Sequence, residues 1–225
     1  MTILTSYTYA KSIDASSGIR VQGDDTLFPQ NSYCVRCDRA LSAFDTRHRF
    51  VTSGLWDLPV GKGKHVNISN AFANALVGDW QVGSILTIQS GFPITVSIGG
   101  TDRSGTGSGY DRANATGLSP YLSSPTPSAW FNLAAFQLQP AGTLGNLGRN
   151  AVVGPGMVTW DFSLHKDFRT TEQQRLEFRW ELFNAANHPV WATPNTNVNN
   201  PGTFGTITGT RTNMRQMQFA LKYVF

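Results

Sequence analysis

The last eleven residues of the chain read Arg215-Gln-Met-Gln-Phe-Ala-Leu-Lys-Tyr-Val-Phe225. Large apolar side chains occupy every second position, and glutamine, alanine, lysine and valine stand between them. A period of two residues is typical of a β-strand with one apolar face. The stretch therefore predicts a strand whose apolar face carries Met217, Phe219, Leu221, Tyr223 and Phe225.

The composition favours a protein of many strands and polar loops. Of the 225 residues, 40% are hydrophobic and 12% are aromatic, and 22 are glycine. No run of about 18 apolar residues occurs, so the sequence contains no transmembrane helix. A transmembrane β-barrel fits this composition, because only alternate residues of its strands meet lipid.

Charge and motifs give no sign of nucleic-acid binding or catalysis. The formal net charge is +4, but the 18 lysines and arginines are dispersed among acids and form no basic stretch with interleaved aromatics. The four histidines lie far apart, and no serine or cysteine lies in a nucleophile motif. We therefore expect no enzyme activity, no catalytic, cofactor-binding or metal-binding residues, no cofactor and no nucleic-acid partner.

Alternating apolar and polar residues predict six strands, and the stretches between them differ in length. The strands are predicted at 2–12, 48–58, 80–89, 158–165, 175–182 and 215–225, with a continuation of the third towards Ile98. Asn70 to Val77 predicts two helical turns. Long polar stretches at 14–47, 99–156 and 187–213 alternate with shorter connections near 59–78 and 169–172. Outer-membrane barrels have long extracellular loops and short periplasmic turns, an asymmetry that would place Met1 in the periplasm.

Residues 158–182 form the clearest predicted hairpin. If the numbers of paired residues sum to about 340, Asp161 lies opposite Arg179 and His165 lies near Arg175. The resulting ladder would largely neutralise its own charge. It would either line a ligand path or, as we favour, form a structural lumen wall. Its members are Asp161, His165, Arg175, Glu177, Arg179 and Glu181.

Strand length and the many aromatic side chains favour an all-β, antiparallel transmembrane barrel. Strands of about 9–11 residues cross a bilayer at a tilt. The alternative is a secreted or surface β-sandwich binding module, in which the aromatic face is an ordinary core. Six strands do not close a barrel, and an open sheet in lipid leaves unpaired amides and carbonyls. Because the first residues also lack a signal peptide, we expect the chain to be the tail of a longer one.

Cys34 and Cys37 have the spacing of a redox or zinc site, but zinc needs two further ligands and the nearest histidine, His48, belongs to a predicted strand. A metal or redox role is therefore disfavoured. Two interpretations stay open, namely a disulfide in an outer loop exposed to an oxidising compartment, or two free thiols.

Several motifs in combination resemble the C-terminal barrel region of TonB-dependent outer-membrane receptors. The similarity is to the Oar-like group, in which a carboxypeptidase-regulatory-like domain precedes plug and barrel. The matching stretches cover nearly all of residues 1–225. They are Ser6–Asp14, Phe44–Val51, Leu58–Lys64, Gly78–Gln81, Gln89–Pro93, Trp130–Asn132, Gly145–Asn150, Gly154–Gly156, Phe183–Pro189 and the terminal strand.

The resemblance implies a bacterial outer-membrane barrel of about 22 strands, of which this chain supplies about six C-terminal ones. It implies import of a small ligand, contacted by the three long loops and driven by an energy-coupling TonB complex that acts on a plug. No residue here matches the plug or the coupling box. The expected partners also include outer-membrane lipid and the barrel-assembly machinery, which would recognise an assembly signal at Phe219, Leu221, Tyr223 and Phe225.

Overall fold

One antiparallel sheet of six strands, here called the wall, runs through the molecule. The computed structural model describes residues 1–18, 28–169, 171 and 173–225. Each strand pairs with its neighbours in chain order, which confirms the six predicted strands. The strands are β1 (Thr2–Tyr9), β2 (His48–Asp57), β3 (Trp80–Gln89), β4 (Met157–Arg169), β5 (Arg175–Phe183) and β6 (Gln216–Val224).

Two strands end several residues earlier than the sequence predicts. β1 ends at Tyr9 rather than near Ser12, because the chain turns away there and Ile13–Asp14 pairs with Ala40–Leu41. β3 ends at Gln89 and does not continue to Ile98, because Pro93–Ile94 pairs with Val152–Val153 outside the wall. In both places a short local pairing replaces the longer strand.

The wall has one apolar and one polar face, because the pairing register places residues of the same character opposite each other. Trp180 of β5 lies opposite Phe219 of β6, and their rings stack with centroids 6.0 Å apart. The apolar face is not covered by a core: 65% of Phe219 and 66% of Leu221 are exposed. The alternation therefore leaves a hydrophobic surface that faces away from the protein.

The hydrophobic core lies in the long loops instead. We call residues 10–18, 28–47, 90–156 and 184–215 the cap. Its centre is a cluster of buried side chains from the second and third long loops, held by short strand pairs of two to six residues. The cluster consists of Ile94, Val96, Ile98, Ala113, Phe131, Ala135, Phe136, Val152, Val198 and Phe204. Much of the long polar stretch 99–156 therefore belongs to a folded body.

The remaining short elements complete the chain. Two further strand pairs lie in the cap, Asn114–Ala115 with Phe136–Gln137 and Tyr121–Thr126 with Ala129–Phe131. Single turns of 3-10 helix occur at Val35–Asp38 and Leu133–Ala135.

The predicted helical turns form helix α1 (Ala71–Val77), whose N-terminus is capped by the Asn70 side chain accepting from the Ala73 N–H at 3.0 Å. Among the described residues, no helix is both long and apolar enough to span a membrane.

Long loops and short connections lie at opposite ends of the wall, as predicted, because successive strands run antiparallel. The cap joins one end. The 58–79 connection, which contains α1, and the β4–β5 turn lie at the other, which we call the short-turn end. Thr2 pairs with Leu55 and Val224 pairs with Arg175, so both chain termini are at the short-turn end.

The predicted register of the β4–β5 hairpin is wrong. The numbers of two paired residues sum to four more than predicted. Phe162 pairs with Leu182, and His165 pairs with Arg179 rather than lying near Arg175. A slip of one residue would exchange the faces, but this even shift leaves every side chain on its predicted face, so the alternation could not reveal the error. The turn lies further along the chain than the expected 169–172. Thr170 and Glu172 of that turn are outside the described residues.

We expect Phe136→Ala to loosen the cap and to leave the wall unchanged, because Phe136 is buried in the cap cluster. Replacing a buried phenylalanine by alanine costs about 3–5 kcal/mol. Hydrogen exchange of the protein would show faster exchange for cap amides and unchanged exchange for wall amides. Leu138→Ala is the matched control, because Leu138 is exposed two residues away. Equal effects of the two variants, or loss of protection in the wall, would contradict a separate cap core.

Candidate functional site

The predicted polar ladder occupies the polar face of β4 and β5, but its charges pair differently from the prediction. His165 Nε2 lies 3.2 Å from Asp167 Oδ1 on the same strand, and Arg175 Nε lies 2.9 Å from Glu177 Oε1 on the next. Across the strands, Asp167 lies opposite Glu177. The close contacts between ladder residues therefore run along each strand rather than between β4 and β5.

Two ladder residues have other surroundings. Lys222 of β6 lies 3.9 Å from Glu177, so the third strand also contributes charge. Asp161 does not lie opposite Arg179: its Oδ1 accepts from the Asn184 N–H at 2.9 Å, at the end where the cap begins. The predicted ladder therefore has two separate parts. Charged side chains contact each other near the short-turn end, and the Asp161 carboxylate holds a turn at the start of the cap.

The polar face contains a concave region of about 360 Å³ between β3, β4 and β5. It is lined by Gln81, Ser163, Leu164, His165, Glu177, Arg179 and Glu181. Both signs of charge and several hydrogen-bonding groups line it, which suits a polar ligand or a polar protein surface. The predicted ladder residues are therefore brought together here, except Asp161 and Arg175.

The predicted assembly signal forms the edge of the wall. Phe219, Leu221 and Tyr223 lie on the apolar face of β6, which among the described residues pairs with β5 alone. Phe225 follows the strand, and its ring centroid is 6.1 Å from that of Tyr223. All four side chains are exposed, as recognition by another protein requires. Their role in assembly stays a prediction.

The structure joins Cys34 to Cys37 by a disulfide, with the two Cα atoms 5.4 Å apart. The bond closes the 3-10 turn Val35–Asp38 in the first long loop. Asp38, the last residue of that turn, is 2% exposed. The disulfide therefore holds the turn that presents Asp38 to the rest of the cap.

Buried arginines of the second long loop anchor the first loop, and the sequence analysis missed them. The Arg112 guanidinium forms a buried ion pair with Asp38, and its backbone N–H donates to Gln30 Oε1 at 2.7 Å. Arg149 donates from Nε to the Asp38 carbonyl at 3.0 Å and from Nη2 to the Asp14 carbonyl at 2.9 Å. The partners are 74 to 135 residues apart, so no local signal could have shown them.

Burial and the neighbouring polar groups of the cap together shift the pKa of Asp14. Desolvation by burial raises the pKa of the Asp14 carboxyl, but hydrogen bonds from Ser42, Arg149 and Ser17 and the charge of Arg149 outweigh it. The net result is a pKa below the usual value of 3.8. At neutral pH the first loop is therefore held by a carboxylate that the folded cap keeps ionised.

A second cap aspartate has a lowered pKa without joining two loops. Asp102 Oδ2 accepts from the Gly107 N–H at 2.8 Å, and Oδ1 accepts from the Thr106 N–H at 3.0 Å. The Gly107 hydrogen bond is the largest cause of the lowering of its pKa. Because these N–H groups occupy the carboxylate, Asp102 organises its own loop. Among the described residues no group of three or more metal-ligating side chains occurs.

Motifs that are distant in the sequence meet in space. A Cβ on Gly91 would lie 1.9 Å from the Gly154 carbonyl oxygen, so only glycine fits where the 89–93 motif crosses the 154–156 motif. At the short-turn end, Lys64 of the 58–64 motif lies 3.0 Å from Asp79 of the 78–81 motif. The motifs are therefore packing junctions at the two ends of the wall.

The Phe183–Pro189 motif starts the third cap segment. Asn184 and Asn187 both have positive φ, at 52° and 51°, a conformation that asparagine tolerates better than most residues. The Asn184 Oδ1 accepts from the His188 N–H at 2.9 Å, and the Asn187 Oδ1 accepts from the Arg215 N–H at 3.0 Å. The motif therefore connects the end of β5 to the residue that precedes β6.

The comparisons with known proteins agree with this architecture. A family model described as "Outer membrane beta barrel domain" matches residues 1–218. No curated protein matched the chain. No solved structure matched it either.

We expect Asp14→Asn to loosen the first loop at neutral pH and to have no effect in acid. Hydrogen bonds to a charged group are worth about 1.5–3 kcal/mol, and the variant removes the charge. The folded-state pKa is below the unfolded one, so the stabilisation is present above 3.8 and is lost as the pH falls through the folded value.

Hydrogen exchange of residues 28–47 at neutral pH and well below 3.8 would measure this difference between the wild type and Asp14→Asn. Asp102→Asn is the control, because Asp102 bonds only within its own loop. A difference between wild type and Asp14→Asn that persists unchanged in acid would show that the Asp14 charge is not what holds the loop.

Proposed function

The chain belongs to the family of outer membrane beta barrel domains, and we propose that it is the C-terminal part of an Oar-like TonB-dependent receptor. In this proposal the cap takes up a small ligand outside the cell, and the wall forms part of the barrel through which the ligand is imported. The family places the chain in an outer membrane, where the apolar face of the wall meets lipid and the polar face meets the lumen.

The observation that carries the proposal is the folding of the long loops into one body at a single end of the wall. Loops that only connect strands need no core, whereas this cap has ten buried apolar side chains in one cluster. The buried Asp38–Arg112 ion pair and the half-buried Asp14–Arg149 ion pair attach the first loop to it. A rigid extracellular body is what selective ligand binding by loops requires.

The open edges of the wall support a larger barrel. In the described part of the chain, β1 pairs with β2 alone and β6 pairs with β5 alone. Unpaired strand edges are costly in lipid, so further strands must satisfy them. The resemblance to receptors of about 22 strands supplies the expected size. The energy-coupling TonB complex would act through a plug, and we assign no residue of this chain to that step.

The polar face supports the transport part of the proposal. Its concavity of about 360 Å³ carries both signs of charge, and in a closed barrel it would face the lumen. It would contact either the plug or the passing ligand. In this proposal the chain is not an enzyme, needs no cofactor and does not bind nucleic acid. The barrel-assembly machinery recognises the terminal strand of the chain.

The alternative, a secreted or surface β-sandwich module, fits less well. A sandwich buries its apolar face against a second sheet. In the part of the chain that the structure describes, the other sheets have two strands each, and the apolar side chains of β6 remain exposed. Outer-membrane lipid covers such a face without a second sheet.

Energised uptake by cells that carry the full-length protein would test the proposal. We expect cells with the gene to deplete at least one small molecule from a complex medium that cells without the gene leave behind, measured by mass spectrometry of the medium. Dissipating the proton gradient should abolish the difference. Phe136→Ala should weaken depletion and Leu138→Ala should not, because only Phe136 supports the cap core.

Two results would contradict parts of the proposal. Depletion that survives loss of the proton gradient would indicate a passive pore rather than a TonB-dependent receptor. Equal depletion by the two variants would show that the folded cap does not determine uptake.

A further inference from the structure

We propose that α1 is a membrane-contact helix, embedded among the acyl chains at the periplasmic surface of the outer membrane. The proposal goes beyond ligand import and depends only on the apolar face of the wall meeting lipid. In this proposal α1 contacts a phospholipid surface rather than a protein.

The contacts of α1 place it on the apolar side of the wall. Trp80 of β3 and Lys166 of β4 are paired residues on the apolar face. Trp80 Nε1 donates to the Leu76 carbonyl at 2.9 Å, and Lys166 Nζ donates to the Asn74 carbonyl at 3.4 Å and to the Gly78 carbonyl. Since both anchors are on that face, the helix lies at its rim. Its Ala71, Asn74 and Ala75 turn towards a concavity that polar-face residues also line, whereas Phe72 and Leu76 are exposed.

The composition of α1 is almost entirely apolar. It reads Ala-Phe-Ala-Asn-Ala-Leu-Val and contains no charge. Its single polar side chain, Asn74, accepts from the Lys62 N–H at 2.7 Å and is therefore used within the protein. Phe72 is 75% exposed and Leu76 is 55% exposed. Exposed apolar residues one turn apart mark a contact surface.

The topology indicates lipid as the cover. The strands that would complete a barrel join at β1 and β6, whereas α1 directly precedes β3, which is flanked by β2 and β4. Added strands therefore do not reach it. The surface of α1 continues the apolar face, and Trp56 and Trp80 lie at the same end of that face. Tryptophans at this level mark a membrane interface.

Lys166 gives an independent reason for a helix in this place. It points to the lipid side of β4, yet only 2% of it is exposed. Its ammonium group donates to carbonyls at the C-terminal end of α1, a position for a cation that the helix dipole favours. Its Nζ also lies 5.3 Å from the centroid of the Trp80 ring and 5.1 Å from that of the Phe168 ring. The helix thereby keeps a cation away from acyl chains while presenting apolar side chains to them.

Spin labels on the full-length protein in phosphatidylcholine vesicles test the proposal. Phe72→Cys and Leu76→Cys would carry nitroxides on α1, and Leu86→Cys, mid-strand on the apolar face, and Ala141→Cys, exposed in the cap, would be the lipid and water references. Labelling without reductant leaves the Cys34–Cys37 disulfide intact. Accessibility to oxygen, which concentrates in lipid, is compared with accessibility to a water-soluble nickel chelate.

We expect the ratio of oxygen to chelate accessibility at positions 72 and 76 to exceed that at 141 on the order of tenfold and to approach that at 86, as for an apolar helix seated in the membrane boundary. A ratio equal to that at 141 would place α1 in water. Low accessibility to both reagents would mean that a protein covers it. Either result overturns the proposal. Positions 72 and 76 lie one turn apart, so if one of the two variants does not fold, the label on the other still gives the answer.

Discussion

The structure depends on one constraint, which is that backbone N–H and C=O groups in lipid must find partners within the protein. The six strands of the wall meet it by pairing in chain order, and the pairing fixes side-chain alternation. One face of the wall then becomes apolar without needing a core. The molecule therefore has two kinds of hydrophobic surface, one for lipid on the wall and one for itself in the cap.

The cap and the wall solve the problem of buried charge in different ways. In the cap, Asp38 and Arg112 are nearly inaccessible and neutralise each other, while Arg149 gives hydrogen bonds to Asp14 and to the Asp38 backbone. A buried ion pair contributes little net stability but is costly to break. Such pairs fix which loop segments meet. On the wall, the Lys166 ammonium group instead donates hydrogen bonds to carbonyl groups of α1 and its C-terminal end.

Much of the wall was predictable because its information is local. Alternation in segments such as 175–182 and 216–224 identified strands, faces and order. The hairpin register was not predictable, since an even shift leaves each side chain of β4 and β5 on its face. The cap core was missed because its strands are as short as two residues and show no period. Arg112 and Arg149 were missed because their partners are distant in the sequence.

The long separation between cap partners has a kinetic consequence. Arg149 and Asp14 are 135 residues apart, and Arg112 and Asp38 are 74 apart. Contacts across such separations form slowly, because the loop entropy is lost before the contact is gained. Pairing of the four strands β1, β2, β3 and β4 in chain order brings the ends of these segments together and shortens the effective loops. The wall is therefore the template on which the cap folds, and the cap is the last part of the domain to mature.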